Sequence, residues 1–194
     1  VIIKQVLDIG CQTLIVPMVE SGEQAEMLVR AMRYPPHGIR GVGGAGARAT
    51  AYSRHTDYLH SANDEMCLVA QLESRAGYEA LDDILAVEGV DAVFIGPSDL
   101  SANLGHIGNP GAPEVVEAVR SSLDKIAASD KACATSDGYY SMALSRGASA
   151  LGVALASGEL DSSAVYSSRL LVAGGGLHRR WPAMKTPSGV LSSI

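Results

Sequence analysis

Apolar residues along this chain alternate between helical spacing and short unbroken runs. Ile2, Ile3, Val6 and Leu7 share one helical face, and Gly10 ends that helix. The segment 12–19 (Q-T-L-I-V-P-M-V) reads as a buried strand with Pro17 near its end. Ser21 with Gln24 three residues later resembles a capping box. It opens a helix whose stripe is Ala25, Leu28, Val29 and Met32, closed by Tyr34-Pro35-Pro36-His37-Gly38. A short helix is expected over 57–63, a strand over 67–72 and a helix over 77–87 carrying Leu81, Ile84 and Leu85. A strand over 92–96, a long loop over 97–113, and a helix over 114–128 with Val115, Val119, Leu123 and Ile126 inward follow. Beyond it the pattern gives a strand over 131–135, a helix over 139–146, a strand over 150–155 and a helix over 162–171. The stretch 172–194, rich in Gly, Pro and Ser, has no period and reads as an irregular tail.

Strands that are apolar throughout and separated by amphipathic helices imply an α/β domain built on a parallel sheet. Five strand-helix units fit either an open doubly wound sheet or a (β/α)₈ barrel without its first three strands. At 194 residues and 47% hydrophobic, the chain can build one sizeable core. The expected division is a partial barrel over 1–171 and the tail over 172–194. Net charge is −6, and Arg179-Arg180 is the longest basic run, so nucleic acid and anionic membrane are not expected partners. Cys11, Cys67 and Cys133 are scattered and lack metal-ligand spacing. Reduced thiols and a cytoplasmic location are the expectation.

Chemistry concentrates where two apolar runs end. Gln71-Leu72-Glu73 closes Cys67-Leu68-Val69-Ala70, and Gly96-Pro97-Ser98-Asp99 closes Ala92-Val93-Phe94-Ile95. Residues i and i+2 of a strand share a face, so Gln71 and Glu73 point the same way while Leu72 packs on the other side. Two carboxylates at neighbouring strand ends, Glu73 and Asp99, would seat a hard divalent cation and leave positions for water and a chelating 2-oxo acid. On spacing alone each acid reads equally well as a helix cap or a solvated loop residue. The glycine loop 41–46 lacks the Lys-Ser/Thr pair of a phosphate loop; the better reading is a flexible rim, with Arg40 or Arg48 meeting a substrate anion. His37, His55, His60, His106 and His178 fall in loops or short polar helices and read as surface residues. Asp8 closes the first helix and on pattern alone is an ordinary helix-end residue.

The segments 1–10 (V-I-I-K-Q-V-L-D-I-G), 13–19 (T-L-I-V-P-M-V), 33–43 (R-Y-P-P-H-G-I-R-G-V-G), 71–74 (Q-L-E-S) and 87–101 (V-E-G-V-D-A-V-F-I-G-P-S-D-L-S) resemble the HpcH/HpaI aldolase family, from Val1 to about Lys131. The resemblance implies a (β/α)₈ TIM barrel of the phosphoenolpyruvate/pyruvate type, assembled as a hexamer (a trimer of dimers). It further implies a metal-dependent class II aldolase, cleaving 4-hydroxy-2-oxo acids to pyruvate and an aldehyde in aromatic or sugar-acid catabolism. Glu73 and Asp99 would ligate Mg²⁺, Mn²⁺ or Co²⁺, while Gln71 and the backbone at Ser98 and Asp99 would hold pyruvate. Asp8 matches the aspartate that supports the family's catalytic histidine. That histidine lies in a D-G-E-H segment, and an enolate-stabilising arginine closes the family's third strand; neither motif occurs in these 194 residues. Alternatives are a catalytically incomplete fragment, a non-catalytic metal and pyruvate-binding module, or another carbon–carbon lyase of the same superfamily. The expectation is a chain that binds but does not turn over by itself.

Overall fold

Apolar runs of four to six residues pair side by side, and the helices between them return the chain to the same edge each time. The computed structural model describes residues 2–135 together with strand residues 150–151 and 172–173. Helix α1 (Ile2–Asp8) leads into strand β1 (Thr13–Val16), followed by α2 (Gly22–Met32), α3 (Tyr58–Glu65) and β2 (Cys67–Leu72). Then come α4 (Arg75–Glu79), α5 (Leu81–Ala86), β3 (Ala92–Ile95), α6 (Pro97–Asn103), α7 (Pro113–Ala128) and β4 (Ala132–Thr135). Two short strands, β5 (Ala150–Leu151) and β6 (Val172–Ala173), complete the described elements.

Strand order in the sheet is β1-β2-β3-β4-β5-β6. The pairings from β1 to β5 are parallel, and β6 lies antiparallel to β5. A doubly wound sheet reverses its order at a switch point, whereas a barrel wall adds each strand beside the previous one. The sequential order of β1 to β5 is that of a barrel wall, so the structure separates two architectures that the sequence pattern left open. Of the stretch expected to be an irregular tail, Val172–Ala173 alone is described, as β6. The helices expected over 139–146 and 162–171, most of the strand over 150–155, and His178 lie outside the described residues.

The two faces of the sheet differ in what they touch. Leu68, Ala70 and Leu72 of β2, Val93 and Ile95 of β3, and Cys133 of β4 join Val29, Ile84, Val119, Leu123 and Ile126 of the helices in the main core. Cys67 and Val69, Ala92, Ala132 and Ala134 form a second, smaller cluster on the opposite face, with Phe94 against it. Side chains alternate along each strand, so Gln71 and Glu73 continue the inner series that begins at Cys67 and Val69. Burial pushes the thiols of Cys67 and Cys133 up to about 12, which leaves both protonated and unreactive. Among the described residues no helix is long and apolar enough to cross a membrane.

Two expectations need correction. The stretch 97–113 is not one long loop, because 97–103 form α6. Gly96 stands at its N-cap, Pro97 in its first turn and Asp99 among its first residues. Proline's fixed φ and an acid near the positive end of the helix dipole both favour a helix start there. The helix expected over 77–87 is two helices, α4 and α5, which meet at Ala80 (φ −90°, ψ 8°).

Leu123 is fully buried on α7 whereas Ile107 is 84% exposed. Leu123→Ala is expected to lower unfolding free energy by about 3 kcal/mol, and Ile107→Ala by no more than about 0.5 kcal/mol. Urea denaturation midpoints at unchanged m-value give the comparison.

Candidate metal and substrate site

β2 ends at Leu72, and the next residue is an acid facing away from the helical core. Glu73 is only 3% exposed. Its Oε1 accepts the backbone N–H of Met18 at 3.1 Å, and Gln71 Nε2 donates to its Oε2. Ser74, also buried, caps α4 by accepting the N–H of Gly77 at 3.1 Å, so the chain turns into a helix immediately after Glu73. Across the sheet Gln71 registers with Phe94 and Leu72 with Ile95, bringing the end of β3 alongside. Gly96 follows β3 directly. A Cβ at that position would lie 2.7 Å from Glu73 Oε2 and 3.2 Å from Gln71 Nε2, so only glycine lets this backbone approach the pair so closely.

Burial drives the Glu73 carboxyl above the ordinary glutamate range. The hydrogen bond from Met18 opposes that rise, the negative charge of Asp99 adds to it, and the bond from Gln71 opposes it again. Asp99 thus acts electrostatically on Glu73 although it sits after a different strand, exposed in the first turn of α6. Ser98 is exposed beside it, its carbonyl taken by the Ser101 hydroxyl at 2.7 Å. First-turn N–H groups of a helix have no intrahelical acceptor, which leaves those of Ser98 and Asp99 open to a ligand oxygen. Among the described residues no three His, Cys, Asp or Glu side chains cluster in a way that could hold a metal ion. The acids at these two strand ends are Glu73 and Asp99, and Glu73 is desolvated and burdened by the charge of Asp99. A divalent cation would relieve both penalties, so the donor set fits a hard cation that keeps positions for water and a chelating ligand.

The structure thus brings Gln71, Glu73 and Asp99 to one end of the strands. It does not bring Asp8 to them. Asp8 ends α1, and the chain turns at Gly10 (φ +106°) to enter β1 from its N-terminal side. Asp8 is thereby at the sheet edge where strands begin, and Glu73 where they end. Its carboxylate accepts from Lys4 and from Arg40 Nη2, the latter at 2.9 Å.

Arg40 departs from the expectation of an anion-binding rim residue. It is 2% exposed, donates to Asp8 and to the Tyr58 hydroxyl at 3.2 Å, and stacks 4.5 Å from the Tyr34 ring centroid and 5.8 Å from that of Tyr58. A guanidinium spent on an internal carboxylate and two aromatic faces is unavailable to substrate. Burial lowers the tendency of Arg40 to stay charged, but Asp8 and Tyr58 outweigh that effect. Arg48 is exposed and lines a cleft of about 710 Å³ with Gln5, Asp8, Ile9 and Tyr52, at the opposite end of the strands from Glu73. The glycine loop is tied down by Thr50, whose hydroxyl lies 2.8 Å from the Gly44 carbonyl and 2.9 Å from that of Ala47. Of the histidines, His106 contacts Glu114 at 3.0 Å, while His37, His55 and His60 are exposed.

Sequence reasoning missed Met18 and Gly96 as parts of this site. Met18 contributes only its backbone, and no side-chain signal announces that. Gly96 belongs to the strand-end motif G-P-S-D, but nothing in that motif shows that its nearest neighbours are Glu73 and Gln71.

The profile of a protein family described as HpcH/HpaI aldolase/citrate lyase matches residues 1–146. A hydroxypyruvate/pyruvate aldolase of Roseovarius nubinhibens is 57% identical over 131 residues, which cover 68% of this chain and 51% of that protein. A 4-hydroxy-2-oxo-heptane-1,7-dioate aldolase of Klebsiella pneumoniae is 55% identical over 130 residues, 67% of this chain and 49% of its own length. The chain spans about half the length of the curated relatives it matches. Among solved structures, an HpcH/HpaI aldolase/citrate lyase family protein from Burkholderia cenocepacia superposes with a TM-score of 0.69 at 36% identity. The match covers 74% of this chain and 57% of that one.

The Asp8 cluster has a pH signature. Burial raises the Asp8 carboxyl, but bonds from Lys4 and Arg40 pull it further down, leaving it below the ordinary aspartate range. A depressed carboxyl stabilises the fold above its unfolded pKa and loses that contribution as pH falls through its folded value. Asp8→Asn is therefore expected to be less stable than wild type at pH 7, with the difference shrinking as pH falls below about 3.9. Arg40→Ala is expected to lose about 3 kcal/mol at neutral pH by leaving Asp8 underpaired. Denaturation of the three proteins at pH 3 and pH 7 provides the test.

Proposed function

The chain belongs to the HpcH/HpaI aldolase/citrate lyase family, and on that premise we propose that it carries the 2-oxo-acid and metal-binding side of a divalent-metal-dependent class II aldolase. The observation that supports this most strongly is the buried Glu73 carboxylate. Each of its oxygens is held by one donor, and Asp99's charge reaches it from the neighbouring strand end. A fixed, desolvated acid with a second acid nearby is costly to keep unless a cation shares it.

In this reading Glu73 and Asp99 hold Mg²⁺, Mn²⁺ or Co²⁺, which when bound supplies Lewis-acid polarisation of a 2-oxo group. Gln71 is half-buried beside Glu73 and orients the substrate head by hydrogen bonding to its carboxylate or keto oxygen. The open N–H groups of Ser98 and Asp99 receive the remaining carboxylate oxygen. Phe94, level with Gln71 on the inner face, excludes water from beneath the head group. The relatives' names differ in substrate, yet both describe aldolases of 2-oxo acids, so a 2-oxo carboxylate is the part these residues are proposed to read. The reaction is retro-aldol cleavage of a 4-hydroxy-2-oxo acid: a base removes the 4-hydroxyl proton, the C3–C4 bond breaks to give the aldehyde and the enolate of pyruvate, and C3 of the enolate takes a proton back to give pyruvate.

Asp8 keeps the role that the family resemblance implies, supporting a histidine base. In one chain it lies at the other end of the strands from Glu73, so service at the same reaction centre requires a second copy of the barrel. This is consistent with the proposed hexamer.

Glu73→Ala is expected to weaken Mn²⁺ binding at least about 30-fold, read as free Mn²⁺ by electron paramagnetic resonance, with secondary structure unchanged. Pyruvate released from a 4-hydroxy-2-oxo acid should require the added metal and vanish with chelator. Unchanged Mn²⁺ affinity in Glu73→Ala would remove the site assignment, and metal-independent pyruvate release would remove the class II reading.

A further inference from the structure

Met18 follows Pro17 just past β1 and has φ +52°, a left-handed conformation that costs energy for any residue with a side chain. That conformation coincides with a working contact, since Met18 N–H is the donor to Glu73 Oε1 at 3.1 Å. The other side of the same residue is tethered. Its carbonyl accepts from Gln24 Nε2 at 3.2 Å, while Gln24 Oε1 accepts the N–H of Glu20 at 2.8 Å. One side-chain amide thus closes the turn over residues 18–20 from both ends. Gln24 is itself fixed, because the Ser21 hydroxyl caps α2 by accepting Gln24 N–H at 3.1 Å.

We propose that Gln24 is a positioning residue for the Glu73 carboxylate, acting through the left-handed backbone of Met18. The proposal rests on the reading of Glu73 as a cation ligand. The chain of bonds is continuous: Ser21 places Gln24, Gln24 holds Met18, and Met18 aims its N–H at one oxygen of Glu73. Gln71 holds the other oxygen. A residue that fixes a ligating carboxylate sets how much of the cation's binding energy is spent on ordering that carboxylate. Gln24 is exposed, and among the described residues its side-chain hydrogen bonds go to Met18 and Glu20. The plainer role for a glutamine at this position is helix capping alone.

Gln24→Glu separates the two roles. Glutamate keeps the acceptor for Glu20 N–H and suits the first turn of a helix, but it has no donor for the Met18 carbonyl. It also adds a negative charge, which by itself attracts a cation. The expected result is Mn²⁺ binding about tenfold weaker despite that charge, with Tm within about 2 °C of wild type. In the metal-free protein the Met18 amide should exchange with solvent several-fold faster. Adding Met18→Gly, which reaches positive φ without strain, should return Mn²⁺ affinity most of the way to wild type. Wild-type Mn²⁺ affinity in Gln24→Glu would overturn the proposal, as would an unchanged Met18 exchange rate. If the wild-type protein bound no Mn²⁺, the cation reading would fall, and Met18 exchange in the metal-free proteins would still decide the relay.

Discussion

The two-residue repeat of a strand is the constraint on which the rest of this molecule depends. In β2 it commits Leu68, Ala70 and Leu72 to the helices and Cys67, Val69 and Gln71 to the inner face, with Glu73 next in line. A slip of one residue would place a carboxylate in the helical core and leucines on the inner face, so the apolar run fixes the register of the polar site. The same alternation in β3 and β4 supplies the small inner residues Ala92, Ala132 and Ala134, which leave room beside Phe94. The face carrying the chemistry is therefore set by the packing of the face that carries none.

Charge is handled differently at the two ends of the strands. At the N-terminal end the Asp8 carboxylate is shared by Lys4 and Arg40, and two tyrosines shield the guanidinium. Every charge there has its opposite within reach, and the desolvation of Arg40 is offset within the protein itself. At the C-terminal end Glu73 is desolvated with a like charge nearby, and its donors are an amide side chain and a backbone N–H rather than a cation. The first arrangement pairs its charges within the protein, although Arg40 Nε is buried without a hydrogen-bond partner. The second leaves electrostatic strain that a bound cation would discharge, and perturbed acids of that kind concentrate at functional sites.

Much of this is legible in the amino-acid sequence. The strand-end acids, the shared face of Gln71 and Glu73, and the capping of α2 by Ser21 follow from local rules that act over two to four residues. The family resemblance was legible as well, and the profile match over 1–146 bears it out. Other features were not legible because they depend on contacts far apart in the sequence. Arg40 looked like a rim cation beside a glycine loop, yet Asp8 is 32 residues away and Tyr58 is 18 away. Helix α6 does not stand out in the sequence, because the loop-like stretch 104–112 that follows it hides the Gly-Pro-Ser-Asp start signal. The split between α4 and α5 left no strong mark, since Ala80 is itself a good helix former.

By itself the sequence determined which segments are strands, which face of each is apolar, and which acids stand at the strand tips. Those properties are local, dictated by side-chain period and backbone preference. Only the tertiary structure decided that the strands add in sequential order, as in a barrel wall. It alone placed Asp8 at the opposite end from Glu73, buried Arg40, and brought the Met18 backbone, 55 residues away, onto a Glu73 oxygen. The reason is that hydrogen bonds and desolvation act through space, and a side chain's partner and burial are set by whatever the fold lays against it.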